Sequence, residues 1–424
     1  MSNNTKQWGA IIVMIALFAM IAFVTNLCSP MAVIVKNQFG ASNFLAQIGN
    51  YGNFGAYLVM GIPSGMLIKK YGYKKTALMA LVVGIIGILV QWASGAMGFA
   101  VYLVGALISG ACMCMLNTVV NPMLNLLGGG GNRGNQLIQT GGVFNSAAAV
   151  AVYIIMGALI GDAAKAHIAD ATPALMIALA IFVIAFIVIF FTKIEEPEQT
   201  SDSESQMELV AGACRYRHFL LGVLAIALYG AVEVGPPTYI LQYLTAAPDA
   251  VTPGLGLDAG YCGTLGAVYF LMMLVGRFLG GVIGGKISTK LMISSVSAAA
   301  VVLLGIGIFL PNDITVSVPG VDWVALSLVW GEIPVGIFLF LLVGLCASVM
   351  WGGIFNLATE GLGKYTAIAS GIFMAAVCGF AISVAAQGWV ADLTNNYLLS
   401  FFVPLVAAAY ILFYALIGSK PAQK

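Results

Sequence analysis

The sequence predicts an all-α polytopic membrane protein with twelve transmembrane helices in two pseudo-symmetric six-helix bundles. Three observations predict it. Of 424 residues, 61% are hydrophobic and 8% charged, against roughly 25% charged in a soluble domain; lipid must therefore be the solvent for most of the chain. Apolar runs of the ~18 residues or more that a spanning helix needs recur from end to end. Lysine and arginine gather on alternate connections, the mark of a fixed orientation in a membrane.

The first span is expected over 8–35. It follows a short polar segment, Met1 to Gln7, and runs on past Asn26 without a small-residue cleavage site, so it reads as a helix and not a signal peptide. The next five are 43–68, 75–95, 97–127, 135–160 and 172–193. The second half supplies 218–244, 259–285, 290–310, 334–358, 366–391 and 398–418. Several exceed the ~20 residues a bilayer requires, which implies tilt or extension into water. The 51 glycines fit tight helix packing, because small residues let backbones approach.

Between the sixth and seventh spans, 196–217 carries Glu196, Glu198, Asp202, Glu204 and Glu208. It reads as a solvated cytoplasmic linker joining an N-terminal bundle, 1–195, to a C-terminal bundle, 218–424. A weak repeat supports the division. Gly65 to Lys75 and Gly281 to Leu291 superpose at an offset of 216 residues, matching Gly65 to Gly281 and Lys74 to Lys290. Two joined halves with a site between them near the midplane is a transporter layout. Segment 311–333, with Trp323 and Trp330, is expected to be an outer loop with a short interfacial helix.

With the N-terminus inside, fifteen of the 17 basic residues fall on the cytoplasmic side, leaving Lys36 and Lys165 outside. Both termini are then cytoplasmic. The net charge of +1 argues for no nucleic-acid partner, and the seven cysteines mostly sit in apolar runs as small packing residues.

Polar groups forced into the membrane mark the candidate site. Of sixteen acids, only Glu233 falls within a span. A charge at a helix centre costs about 2.5–3.5 kcal/mol on insertion scales, so Glu233 should face a cavity or a partner and is the candidate ion-coupling residue. Pro236 and Pro237 follow it; each removes a helical bond to the carbonyl four residues back, which should free the Val232 and Glu233 carbonyls to bind a cation. Asn117, Asn121 and Asn125 recur every four residues along one helix face. Gln139 and Asn145 in the fifth span, Asn26 in the first, Asn50 in the second, Tyr229 in the seventh, and Trp351 and Asn356 in the tenth complete the candidate substrate-binding set. Amides both donate and accept, as sugar hydroxyls require; interhelical hydrogen bonding is the competing role. No lysine or arginine falls in mid-span, Arg277 lying toward the cytoplasmic end of the eighth, so a neutral, hydroxyl-rich solute fits better than an anion. Lys69, Lys70, Lys74 and Arg277 are candidate gating residues. Gly128 to Gly131 is not a phosphate loop, since no Lys-Ser/Thr follows. No catalytic constellation or metal-ligand set stands out, so the chain is not read as an enzyme.

The segment Gly65-Met-Leu-Ile-Lys-Lys-Tyr-Gly-Tyr-Lys-Lys75 resembles the signature that the major facilitator superfamily carries between its second and third spans, with Lys69 where an aspartate is usual. Scattered motifs resemble the fucose–proton symporter family, which includes glucose/galactose transporters. They are Phe54-Gly-Ala-Tyr57, Pro63-Ser-Gly-Met-Leu-Ile-Lys-Lys70, Asn121-Pro122, Gln139-Thr140, Tyr229-Gly-Ala-Val-Glu233-Val, Gly276-Arg-Phe278, Ile354-Phe-Asn-Leu357 and Leu362-Gly363. The resemblance implies the major facilitator fold and sugar uptake driven by protons or sodium. Ser29 and Asn117 stand where the fucose carrier has acids, and Glu233 resembles an acid of glucose/galactose-type members. Two glycines follow Gln139-Thr140 where family members read Phe-Asn. The expectation is a cation-coupled importer of a neutral sugar in a bacterial inner membrane, with no cofactor beyond the coupling H+ or Na+ and no obligate protein partner. A facilitator or exporter of another neutral solute is the alternative, and a non-transporting membrane sensor a more distant one.

Overall fold

A computed structural model describes residues 8–39, 43–160, 167–194, 196, 206–257, 259–322 and 327–421. The N-terminal half comprises α1 (Trp8–Phe39), α2 (Asn43–Tyr71), α3 (Tyr73–Met97), α4 (Phe99–Leu127), α5 (Gly131–Ile160) and α6 (Thr172–Phe191). A short α7 (Gln206–Ala213) follows. The C-terminal half then holds α8 (Arg217–Glu233), α9 (Gly235–Thr245), α10 (Ala259–Ile283), α11 (Thr289–Phe309), α12 (Val335–Ala347), α13 (Met350–Thr359), α14 (Thr366–Ala375), α15 (Gly379–Thr394) and α16 (Phe402–Phe413). Among the described residues, ten helical stretches are long and apolar enough to cross a membrane. With α2 and α5, of 29 and 30 residues, the architecture agrees with twelve spans.

Three spans of the C-terminal half are broken helices. Pro236 and Pro237 end one helix at Glu233 and start the next at Gly235. The chain turns again between α12 and α13, at Ser348 and Val349, and a 3-10 turn at Ala376–Cys378 joins α14 to α15. The α2–α3, α3–α4 and α4–α5 connections are tight. Gly129, Gly130 and Gly131 carry φ of 88°, 74° and 52° in the turn from α4 to α5, a left-handed run that only glycine enters without strain.

The α2–α3, α4–α5, α10–α11 and α13–α14 connections share one end of the bundle, which carries Lys69, Lys70, Lys74, Arg133, Lys286, Lys290 and Lys364; it is called the basic end below. Here the halves meet: α5 packs on α10, α2 on α14, and α4 on α13 and α14. Small residues permit the approach of α2 to α14. A Cβ on Gly61 would fall 2.5 Å from the Ala375 nitrogen, and one on Gly371 would fall 3.0 Å from Gly65 Cα.

Two expectations are corrected. Part of 311–333 forms an antiparallel hairpin, β1 (Thr315–Asp322) and β2 (Ser327–Pro334), in register from Thr315↔Pro334 to Asp322↔Ser327. There is no interfacial helix among its described residues, because the alternating valines and Thr315 favour a pleated strand. Val318 and Ile333 turn inward, and Tyr261 of α10 donates its hydroxyl to the Val318 and Gly331 carbonyls at 2.9 and 3.0 Å. The linker is not wholly solvated either. Within 206–213, α7 buries Leu209 and Ala213 and lays Gly212 on the Tyr365 ring. The Glu196 carboxylate accepts from the backbone nitrogens of Tyr73 at 2.9 Å and Lys74 at 2.7 Å, supplying the anionic cap that Gly72 cannot give the start of α3.

Overpacking a close contact costs about 1–3 kcal/mol. Gly61→Leu should therefore hold α2 off α14, and a cysteine placed at the buried Ser370 should react with an impermeant thiol reagent about tenfold faster. Equal labelling rates with and without the Gly61→Leu substitution would contradict the contact.

Candidate functional site

Glu233 is the last residue of α8, placed at the helix break by the prolines after it. Its Oε1 lies 3.4 Å from Nη2 of Arg277 on α10, and the two side chains are 19% and 8% exposed. The carboxylate is thus the more exposed of the two and the guanidinium the more buried. Arg277 was expected near the basic end, and mid-membrane was expected to lack a cation; the position of the guanidinium beside Glu233 corrects both. Side chains lean toward a helix's N-terminus, and the N-terminus of α10 lies at the far end. Arg277 therefore reaches inward from its backbone position to the seam between the halves.

There its donors are heavily used. Nη1 donates to Ser146 Oγ at 2.7 Å, Asn145 Oδ1 at 2.9 Å and the Gly142 carbonyl at 3.3 Å, all on α5. Nε donates to the Ser348 carbonyl at 3.3 Å. The paired glycines of α5 acquire a reason: a Cβ on Gly142 would lie 3.0 Å from Arg277 Cδ, so Gly142 leaves room for the arginine stem. Acid and guanidinium cancel in charge, which keeps the seam suited to a neutral solute.

The break between α12 and α13 works as a hub. Three successive carbonyls accept from three different helices: Ala347 from Tyr229 Oη at 3.1 Å, Ser348 from Arg277, and Val349 from Gln139 Nε2 at 3.0 Å. At the α8–α9 break, the Val232 carbonyl freed by Pro236 accepts the hydroxyl of Tyr269.

Most of the predicted amides gather along the same seam. Asn121 Oδ1 accepts from Trp351 Nε1 at 3.1 Å, and its Nδ2 donates to the Asn117 carbonyl at 2.9 Å. Asn117 Nδ2 donates to Tyr57 Oη at 2.9 Å. Asn145 Nδ2 donates to the Phe18 carbonyl at 2.7 Å, which ties α1, α5 and α10 together. Gln139, Gly142, Arg277, Trp351 and Phe18 line one cleft with room for about a single water molecule. Tyr229 is fully buried and packs on Trp351 and Phe380 at centroid distances of 6.2 and 5.8 Å. Phe380 in turn meets Phe54 of α2 at 5.6 Å, carrying the aromatic cluster across the seam.

Other candidates lie apart. Asn356 sits nearer the basic end, between Asn125 at 3.2 Å and Thr289 at 3.0 Å. Asn26 bonds back to Ala22 within its own helix at 2.8 Å. The Asn50 side chain is outside the described residues. Lys74 is corrected from gate to staple: its Nζ donates to the Phe190 and Thr192 carbonyls at 3.0 and 2.8 Å, capping the end of α6 inside the N-terminal half. Lys70 is exposed over the Tyr71 ring, and Lys69 is half-buried in the last turn of α2. Sequence reasoning missed Tyr57, Tyr269, Asn132 and the Ser348 turn. Asn132 Oδ1 accepts from Thr289 N at 3.0 Å across the halves. The Gly352-Gly353 pair just past Trp351 was the available signal for the turn.

The family model described as Major Facilitator Superfamily matches residues 13–386. A glucose/galactose transporter of Brucella abortus biovar 1 (strain 9-941) is 29% identical over 429 residues, covering 99% of this chain and 96% of the relative. An L-fucose-proton symporter of Escherichia coli (strain K12) is 23% identical, covering 96% and 92%. Among solved structures, the transporter FucP in the outward conformation superposes with a TM-score of 0.81 at 21% identity, covering 97% of this chain and 98% of that one. The proton:xylose symporter XylE superposes with a TM-score of 0.73 at 12% identity, covering 100% and 98%. These structures share the fold.

The Asn121–Trp351 bond yields a stability prediction. Asn121→Ala and Trp351→Phe each remove one partner, and their effects on thermal unfolding should be non-additive by about 1 kcal/mol. Additive losses in the double variant would show that the bond carries no stability.

Proposed function

The chain belongs to the Major Facilitator Superfamily, and on that premise we propose that it is a secondary active transporter that imports a neutral sugar, a hexose or small saccharide, by proton symport with alternating access. The observation that carries the proposal is the Glu233–Arg277 pair, a partly exposed carboxylate and a buried guanidinium at the junction of the two halves. The names of the relatives, glucose/galactose transporter and L-fucose-proton symporter, support the solute class.

Geometry favours a proton over sodium. One Glu233 oxygen faces a guanidinium at 3.4 Å, which repels a metal cation bound there. The neighbouring Val232 carbonyl already accepts the Tyr269 hydroxyl, which leaves it a poorer ligand for sodium. A proton neutralises the carboxylate without a coordination shell.

The two bundles, 1–195 and 218–424, are the moving bodies in this reading, joined by 196–217. In the conformation described, hydrogen bonds between the halves run from the basic end to mid-membrane, through Asn132–Thr289, Asn125–Asn356, Gln139–Val349, Asn121–Trp351 and Arg277–Ser146. With the basic end cytoplasmic by the charge asymmetry, these bonds hold the cytoplasmic side closed in this reading. A sugar arriving from outside meets Glu233 first. Its hydroxyls exchange with the seam amides Asn117, Asn121, Gln139 and Asn145, so the halves separate at the basic end without leaving buried donors unpaired. The protein resides in the bacterial inner membrane with both termini cytoplasmic.

Glu233→Gln, reconstituted in proteoliposomes, should exchange labelled hexose for unlabelled hexose but no longer accumulate it under an inward proton gradient. Accumulation at the wild-type level would remove Glu233 from the coupling step.

A further inference from the structure

We infer that Arg277 is a positioning residue that makes opening of the basic end depend on the charge of Glu233, and so prevents the proton from crossing without the solute. The inference rests on the proton-symport reading. Its ground is where the guanidinium spends its donors. A guanidinium is a rigid planar fork with five N–H groups and no ability to shed its charge. Here Nη2 faces the acid of its own half, while Nη1 is spent wholly on α5 of the other half, at Ser146, Asn145 and Gly142. The bonds to α5 at 2.7 and 2.9 Å are shorter than the 3.4 Å ionic contact.

That division gives two regimes. When Glu233 is ionised, Arg277 is compensated within its own half, and α5 can leave it at little cost. The empty, unprotonated carrier is then free to reorient. When Glu233 holds a proton, the buried guanidinium has no anion; its own half offers the Ser348 carbonyl at Nε, and the Nη1 donors depend on the acceptors of α5. Opening the basic end withdraws those acceptors and leaves a buried cation with no anion and only the Ser348 carbonyl, which is strongly unfavourable. The protonated carrier is therefore held closed at the basic end until solute hydroxyls take over as acceptors. The other titratable groups facing Glu233 are Tyr229 on α8, Tyr269 on α10 and, against Tyr269, Cys346 on α12. Phenols and thiols ordinarily titrate near 10 and 8.5, so near pH 7 the switch lies between Glu233 and Arg277. Gly142 is part of the device, since a larger residue would displace the arginine stem from α5.

The test is proton entry without solute, read by a pH-sensitive dye trapped in proteoliposomes under an inward proton gradient. Wild type should admit few protons until sugar is added. Ser146→Ala deletes one α5 acceptor with little change of shape. A bond to a charged group is worth about tenfold or more in a population, so solute-independent entry should rise by about tenfold. Glu233→Gln added to Ser146→Ala should abolish that leak, which it would not do if the leak were a water path through a loosened bundle that bypasses Glu233. Arg277→Lys keeps the charge without the fork and should leak as Ser146→Ala does. A Ser146→Ala carrier no leakier than wild type overturns the inference, as does a leak that survives Glu233→Gln. Failure of the symport reading looks different: wild type would then transport sugar with no proton entry on sugar addition.

Discussion

One constraint organises this molecule: a charge withdrawn from water must be met by another charge or by enough hydrogen-bond acceptors. Only one acid and one guanidinium lie deep along the described seam, and they meet there. Much local structure follows from accommodating them. The proline pair ends α8 so that Glu233 sits at a helix end, with Tyr269 occupying the adjoining carbonyl. Gly142 clears space for the arginine stem, and the turn between α12 and α13 presents Ser348 to its Nε. Asn145 and Ser146 supply the rest from the opposite half.

The seam around this pair is polar without being charged. Amides, hydroxyls and helix-break carbonyls link the halves, while glycines let α2 and α14 approach. Such bonds suit a surface that must part and re-form. Each is worth only about 0.5–1.5 kcal/mol net, and each partner can be satisfied by water or by a solute hydroxyl. The charges at the basic end do different work. Lys74 and Glu196 fasten α3 and α6 at their ends, within the N-terminal half and its adjoining linker.

Much of the fold was legible in the sequence because the membrane imposes a simple rule of length and polarity. The spans, the division into halves and the isolation of Glu233 among sixteen acids all came from it. What stayed hidden depended on side-chain direction. Arg277 looks peripheral when placed by its backbone, and only the lean of its side chain toward the start of α10 brings it to the centre. Lys74 looks like part of a gate until the neighbouring end of α6 is seen to present free carbonyls. Segment 315–334 was obscured by its tryptophans, which suggested an interfacial helix, whereas its valine alternation carried the strand signal. The asparagine stripe was found, but Tyr57 and Trp351 as its partners depend on packing between helices far apart in sequence.

The central claim is that a neutral sugar and a proton cross together through the Glu233 seam. The most direct measurement starts with vesicles at equal pH on both sides and adds hexose outside while recording external pH. The account predicts that sugar addition alone draws protons inward and turns the medium alkaline, with no response to sodium. Sugar entry with no pH change would contradict it.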